Sequence, residues 1–172
     1  MPDLGAIFDR HVSLEFEAKD ANATMETMVD RPTVVHVPVL TGGRDRAELH
    51  RFYRDSFIPA WPEDTTVEQV SRTVGAERAV DELIIRFTHT TEMPFWLPGI
   101  APTGRRVEIP LVVVMGFDGD SVASEHIYWD QASLLTQIGL LDPTDLPITG
   151  SAQAQALVDS GIALNQLIDR AG

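Results

Sequence analysis

Cysteine is absent from the 172-residue chain. That excludes disulfides, thiolate metal ligands and a cysteine nucleophile, and it suits a reducing cytoplasm. Lysine is scarce as well: Lys19 stands alone among 13 basic residues, which face 26 acidic ones. A formal net charge of −13 leaves no basic face for nucleic acid or for an anionic membrane surface. No apolar run approaches the ~18 residues needed to cross a bilayer. The N-terminal stretch MPDLGAIFDRH places acids where an export signal needs an apolar core, so a cytoplasmic protein is expected. The phosphate-binding patterns G-x-G-x-x-G and G-x-x-x-x-G-K-[ST] are missing, as are the nucleophile elbow G-x-S-x-G and the zinc-helix pattern H-E-x-x-H.

With 44% hydrophobic residues and no repeat or linker, the chain is expected to form a single domain over 1–172. Apolar spacing predicts a helix over 4–18, capped by Asp3, with Leu4, Ile7, Phe8 and Val12 packed inward and His11 on its polar side. A second short helix is expected over 21–29, ended by Arg31-Pro32. Thr33–Leu40 (TVVHVPVL) reads as a strand, with Pro38 confining it to a sheet edge or strand end. Asp45 and Glu48 make a capping-box-like start for a helix that reaches Ile58 and buries Leu49, Phe52, Tyr53 and Phe57. Strands follow at 65–74, 78–93 and 106–117, interrupted by the proline-rich loop PFWLPGIAPTGR at 94–105. Asp118-Gly119 then turns the chain into a last strand. Helices followed by antiparallel strands without helical crossovers indicate an α+β fold, with helices on one face of a curved sheet.

The densest group of reactive side chains lies in SVASEHIYWDQASLLTQIGLL, Ser121–Leu141. Strand alternation sorts it into two sets: Ser124, His126, Tyr128 and Asp130 on one face, and Glu125, Ile127 and Trp129 on the other. If the first set faces a cavity, Asp130 sits near an imidazole and a phenol, where desolvation raises its pKa into the range of an acid/base. Its position at a strand-to-helix junction fits a helix cap equally well. His89 shares a face with Ile85, Phe87, Thr91 and Met93, an apolar wall of core or cavity. Alternation separates His89 from Glu92 and Glu125 from His126, so neither a metal nor another cofactor is expected. The aromatic 94–105 loop reads as a lid at the pocket mouth or as a packing loop, and Trp61 and Tyr53 can join the same wall.

A helix approximating G-x-x-x-L-x-x-F-Y (Gly43–Tyr53), a three-strand meander ending D-G-D, and the closing EHIYWDQASLLTQIGLL together resemble the nuclear transport factor 2-like superfamily. Within it they are most similar to the SnoaL-like polyketide cyclase and predicted ester cyclase group, whose members often close with E-H-x-x-x-D-x-x-x-L-L-x-Q-L-G. The likeness spans 35–141; the helical tail at 142–172 and the 94–105 loop lie outside it. The resemblance implies a cystatin-like α+β half-barrel. In it a cone-shaped, curved mixed/antiparallel sheet has its concave face covered by the N-terminal helices, and a pocket opens at the wide end. The convex face would form a homodimer, with Ile127 and Trp129 among the side chains needing cover. It also implies that Asp130 is the acid/base. The family's assisting histidine has no counterpart here, because valines occupy that position.

The expectation is therefore an enzyme with a small-molecule pocket, acting on a small hydrophobic substrate by cyclase, isomerase, dehydratase or hydrolase chemistry. Asp130, His126 and His89 are the candidate catalytic groups, and Tyr128, Trp96, Trp61, Tyr53 and Phe87 the candidate substrate contacts. The alternative is a non-catalytic ligand-binding or dimerisation module of the same fold.

Overall fold

Residues 2–171 are described by the structure, a computed structural model. Three helical segments come early: α1 (Leu4–Phe16), α2 (Ala21–Glu26) and α3 (Arg46–Arg51). Each starts at an aspartate whose carboxylate accepts backbone N–H groups of the first turn: Asp3 from Ala6, Asp20 from Asn22 and Ala23, Asp45 from Glu48. Between α2 and α3 run β1 (Met28–His36) and the short β2 (Thr41–Gly43). Then come β3 (Thr66–Val74), β4 (Arg78–Thr88), β5 (Arg106–Asp118) and β6 (Ser121–Trp129). The chain closes with α4 (Gln131–Gln137), α5 (Ala152–Val158) and α6 (Gln166–Ala171). No helix among the described residues is long and apolar enough to cross a membrane.

The six strands form one open sheet in the order β2-β1-β6-β5-β4-β3. β1 and β6 are parallel, and every other neighbouring pair is antiparallel. This is the mixed sheet of an α+β fold. Cross-strand partners share a face, so the register identifies the rows of the inner face: Val34–Glu125–Met115–Ala79, His36–Ile127–Val113–Asp81 and Trp129–Leu111–Leu83. Nearly all of these side chains are buried. The apolar ones pack with Leu4 and Phe8 of α1 and Leu49 of α3 into one hydrophobic cluster.

Several boundaries move from the sequence reading. The second helix ends at Glu26, and β1 begins at Met28 and runs through Arg31-Pro32. The residue before a proline is pushed toward extended backbone, which a strand accepts as readily as a helix end does. The pairing slips between Met28 and Thr33, on either side of that proline. Pro110 lies inside β5, one residue beyond Leu111, the last to pair with β6. The side chain of Gln137 takes over that side of the strand, accepting from Glu108 N–H and donating to Glu108 C=O. A proline is tolerated there because no neighbouring strand needs its N–H. β4 stops at Thr88, not Met93, and the chain from His89 to Arg105 folds back onto the core with Phe95, Trp96 and Leu97 buried. The 94–105 segment is therefore packed against the body of the protein, held by Thr41 Oγ1 donating to Phe95 C=O at 2.7 Å and Gln131 Nε2 donating to Trp96 C=O at 3.1 Å.

Candidate active site: an acid-centred cavity beneath the first helix

A cavity of about 670 Å³ lies between α1 and the inner sheet face, large enough for a drug-sized molecule. Aromatic rings form a large part of its wall: Phe16 from α1, Phe52, Tyr53 and Phe57 after α3, then Trp61 and Trp96, beside polar groups from α1 and the sheet. Their placement follows from a change of helix type. After Arg51 the chain winds as a π-helix over Phe52–Phe57 and as a 3₁₀ turn over Ile58–Ala60. The wider π turn aligns side chains five apart, so Phe52 and Phe57 stack at 5.6 Å while Tyr53 is also directed inward.

The polar centre of this wall comes from α1 and β6. Leu4, Phe8, His11 and Glu15 follow one another at spacings of four, three and four residues, which is one helical stripe, and all four are buried. His11 and Glu15 thus occupy core positions of an amphipathic helix. Glu125 arrives from β6, 6% exposed, on the same side as Ile127 and Trp129. His11, Glu15 and Glu125 each bring a polar atom within 4.8 Å of the other two, near enough to share one small cation.

Hydrogen bonding fixes the histidine. Thr27 Oγ1 donates to Thr24 C=O at 2.7 Å, so it is left to accept from His11 Nδ1–H. That directs Nε2 at Glu15 Oε1 and the Tyr53 hydroxyl, each 3.3 Å away. Burial works to lower the His11 pKa, and the charge and hydrogen bonding of Glu15 outweigh it, leaving the imidazole above its ordinary value. Burial, with Glu15 adding to it, drives the Glu125 carboxyl up to about 8, and His11 offsets only part of this. No hydrogen bond from the described residues contributes to that value. The Tyr53 phenol is pushed upward by burial and then by the two glutamates, so it stays protonated and donating.

Two further groups complete the wall. Arg72 of β3 spans the rim, donating through Nε and Nη2 to Asp81 at 2.6 and 2.7 Å and through Nη2 to Asp9 at 2.7 Å. Its guanidinium also stacks 4.7 Å above the Phe8 ring, tying α1 to the sheet. His36 is buried among Phe52, Phe57, Phe95 and Trp129. Burial lowers its pKa to about 3, so it serves as a neutral aromatic surface.

Of the residues expected from sequence, Tyr53, Trp61 and Trp96 line the cavity. Phe87 is one layer behind, against the rings of Trp61 and Trp96. The others are placed elsewhere. Asp130 is exposed at the N-cap of α4, where its carboxylate accepts from Ala132 N–H, Ser133 N–H, Ser133 Oγ–H and Gln153 Nε2–H. Burial would raise its pKa, and these hydrogen bonds more than offset that, holding it below the usual value. His126 and Tyr128 share the outer sheet face, Tyr128 being 44% exposed. His89 is buried outside the cavity wall, its Nδ1 accepting from Thr103 N–H and thereby holding the loop. The alternation in β6 is as expected, but the opposite face looks inward. Ile127 and Trp129 are cavity-side residues and need no second subunit to cover them. His11, expected on the polar side of its helix, is fully buried. Glu15 escaped notice too; the available signal was its register with Leu4 and Phe8.

No protein-family model matches the sequence, and no curated protein does. Solved structures do match. A candidate polyketide cyclase from Acidithiobacillus ferrooxidans is 18% identical, with a TM-score of 0.62 over 77% of this chain and 92% of that one. A candidate SnoaL-like polyketide cyclase from Jannaschia sp. CCS1 is 15% identical, with a TM-score of 0.59 over 80% and 94%. A protein of ketosteroid isomerase-like fold from Catenulispora acidiphila, solved in complex with trimethylamine, is 13% identical, with a TM-score of 0.60 over 78% and 93%. At these identities the likeness is one of fold, and the chain has the nuclear transport factor 2-like fold of the SnoaL-like polyketide cyclase proteins.

Proposed function

We propose that this chain is an enzyme that binds a small hydrophobic molecule in the aromatic cavity and exchanges a proton with one of its heteroatoms through Glu125. The observation that carries the reading is a carboxyl in the cavity wall, buried, without a hydrogen-bond partner among the described residues and raised to about 8. At pH 7 such a group is mostly protonated. It acts first as a general acid and, once ionised, as the base that takes a proton back. Tyr53 and the His11–Glu15 pair stand beside it as buried, fixed dipoles, placed to act on developing charge.

Cyclase, isomerase, dehydratase and hydrolase chemistry all contain such a step. Structures of the same fold include candidate cyclases, a candidate hydroxylase and an epoxide hydrolase/cyclase-like enzyme. Glu125 takes the role that the sequence resemblance gave to Asp130, which has neither the cavity nor the raised pKa that the role requires. A cytoplasmic location belongs to the same proposal, supported by a chain without cysteine.

The test is a thermal-shift screen of hydrophobic ketones, lactones, epoxides, enols and amines, followed by turnover of the hits. Glu125→Gln is expected to lower turnover by about 10²- to 10⁴-fold while the variant remains folded. An unchanged rate removes Glu125 from the mechanism. Hits that bind without being converted would favour a non-catalytic ligand-binding module.

A homodimer is proposed on different residues from those read in the sequence. Val112 and Tyr128, 37% and 44% exposed, lie opposite one another on the outer face of β5 and β6, and a second copy of the sheet would cover them. Sedimentation at micromolar concentration should give a dimer, and a monomer there would withdraw the proposal.

A further inference from the structure

The buried centre is balanced while Glu125 keeps its proton and is left with one unpaired negative charge once Glu125 ionises. Glu15 and Glu125 share it with one imidazole, His11. Glu15 is 3% exposed, and beyond His11 Nε2, 3.3 Å away, its Oε1 has no further partner among the described residues. Glu125 gains no hydrogen bond from the described residues. The other basic groups of the wall cannot make up the deficit. Arg72 is held by Asp81 and Asp9, His36 is kept neutral by burial, and Lys19 is exposed at the rim. Tyr53 brings a single hydroxyl hydrogen. With Glu125 ionised, acceptors therefore outnumber donors in a cavity that aromatic rings also line.

We infer that the ligand of this cavity is a hydrophobic amine that enters nitrogen first, its ammonium bonded by Glu125 and Glu15 and its hydrocarbon part against the aromatic wall. The inference rests on the reading of Glu125 as the proton-exchanging group, and it names the heteroatom. A primary ammonium carries three N–H donors, the complement of a site that lacks donors, and aromatic faces attract cations. Docking of the free base balances simply. The Glu125 O–H bond breaks, an N–H bond forms, and the neutral pair becomes an ammonium carboxylate with no change in net charge. A carboxylate or phosphate ester would instead set a further negative charge beside two carboxyl groups, so anionic ligands are excluded.

The test compares three probes of one shape, cyclohexylmethylamine, cyclohexylmethanol and cyclohexanecarboxylate, by calorimetry on the wild-type chain, Glu125→Gln and Glu15→Gln. The amine is expected to bind at least about tenfold more tightly than the alcohol, as a desolvated charge-assisted contact allows, and the carboxylate not to bind. Glu125→Gln should abolish that preference while the alcohol still binds, which shows the cavity intact. Should Glu15→Gln fail to fold, Glu125→Gln alone decides. Equal affinity for amine and alcohol overturns the inference and leaves the acid–base reading to its own turnover test. A preference that survives in Glu125→Gln also overturns it. So does a rise in melting temperature with Zn²⁺ but none with the amine, which would make the centre a metal site.

Discussion

Glu125 and Asp130 sit five residues apart on one segment and meet opposite fates. Glu125 faces inward from β6, loses its hydration and gains no hydrogen bond, so its carboxyl is driven up to about 8. Asp130 lies just past the end of the strand, where four donors reach its oxygens from Ala132, Ser133 and Gln153 and hold it below the usual carboxylate range. Reactivity here follows burial without partners. An acid that satisfies a helix end holds a proton less tightly than usual, whereas an acid buried in a cavity wall keeps one at neutral pH. The contrast also separates the sources of the two readings. Family resemblance favoured the exposed acid, and the packing of the chain favours the buried one.

The largest expected effect follows from that contrast. Against the drop expected for Glu125→Gln, Asp130→Asn should leave turnover of the same substrate essentially unchanged, measured side by side under saturating conditions. If instead Asp130→Asn abolishes turnover and Glu125→Gln does not, the assignment of the two acids is inverted and the cavity is not the reaction site.

How far the sequence reached depended on whether the signal was local. The strands from Thr66 to Trp129 and the aspartate caps at Asp3 and Asp45 were legible, because alternation and capping act over a few residues; the cap at Asp20 emerged only from the structure. The aromatic wall was half legible: Tyr53, Trp61 and Trp96 were named, but the π turn that aims Phe52 and Phe57 together has no simple sequence mark. The face of β6 was not legible. Each of its two sets carries an aromatic residue and a titratable one, and only the packing of the folded chain, which buries Glu125, Ile127 and Trp129 and leaves Tyr128 exposed, decides which set looks inward. His11 and Glu15 were missed for a related reason. Polar residues on a helix are ordinarily placed on its wet side, and recognising them as core requires weighing their register above their chemistry. The parallel pairing of β1 with β6 joins residues about ninety apart and lies beyond any local pattern.

A second way to sharpen the comparison is the pH dependence of stability, where the two acids have opposite signs. Glu125 has a raised folded-state pKa. Its contribution is fully present below the unfolded value of about 4.3 and is lost as pH rises toward the folded value of about 8. Thermal melts of the wild-type chain from pH 5 to pH 8 should therefore carry a destabilising slope that Glu125→Gln reduces. Asp130 has a lowered pKa, so its contribution is present above the unfolded value of about 3.9 and disappears as pH falls through the folded one. The difference between wild type and Asp130→Asn should be full at pH 7 and shrink in acid. If Glu125→Gln leaves the slope from pH 5 to pH 8 intact, that carboxyl is ionised in the folded protein and cannot serve as the acid.

The smallest effect concerns the cap itself. Asp130→Ala removes an acceptor from the first turn of α4, including the Ala132 and Ser133 N–H groups, and loss of an N-cap typically costs about 1 kcal/mol. In a domain of this length that corresponds to a fall of roughly 2–4 °C in melting temperature. The same oxygens also tie α4 to the tail through Gln153 Nε2 at 3.1 Å, whereas the polar centre at Glu125 has no bond to either. A readout at the cavity should therefore stay silent: amine affinity in Asp130→Ala is expected to match the wild type. Serine restores a cap acceptor without a charge, so Asp130→Ser should recover most of the lost stability. Failure of serine to do so would mean that charge, acting on Gln153 and the N-terminus of α4, matters more than the cap hydrogen bonds.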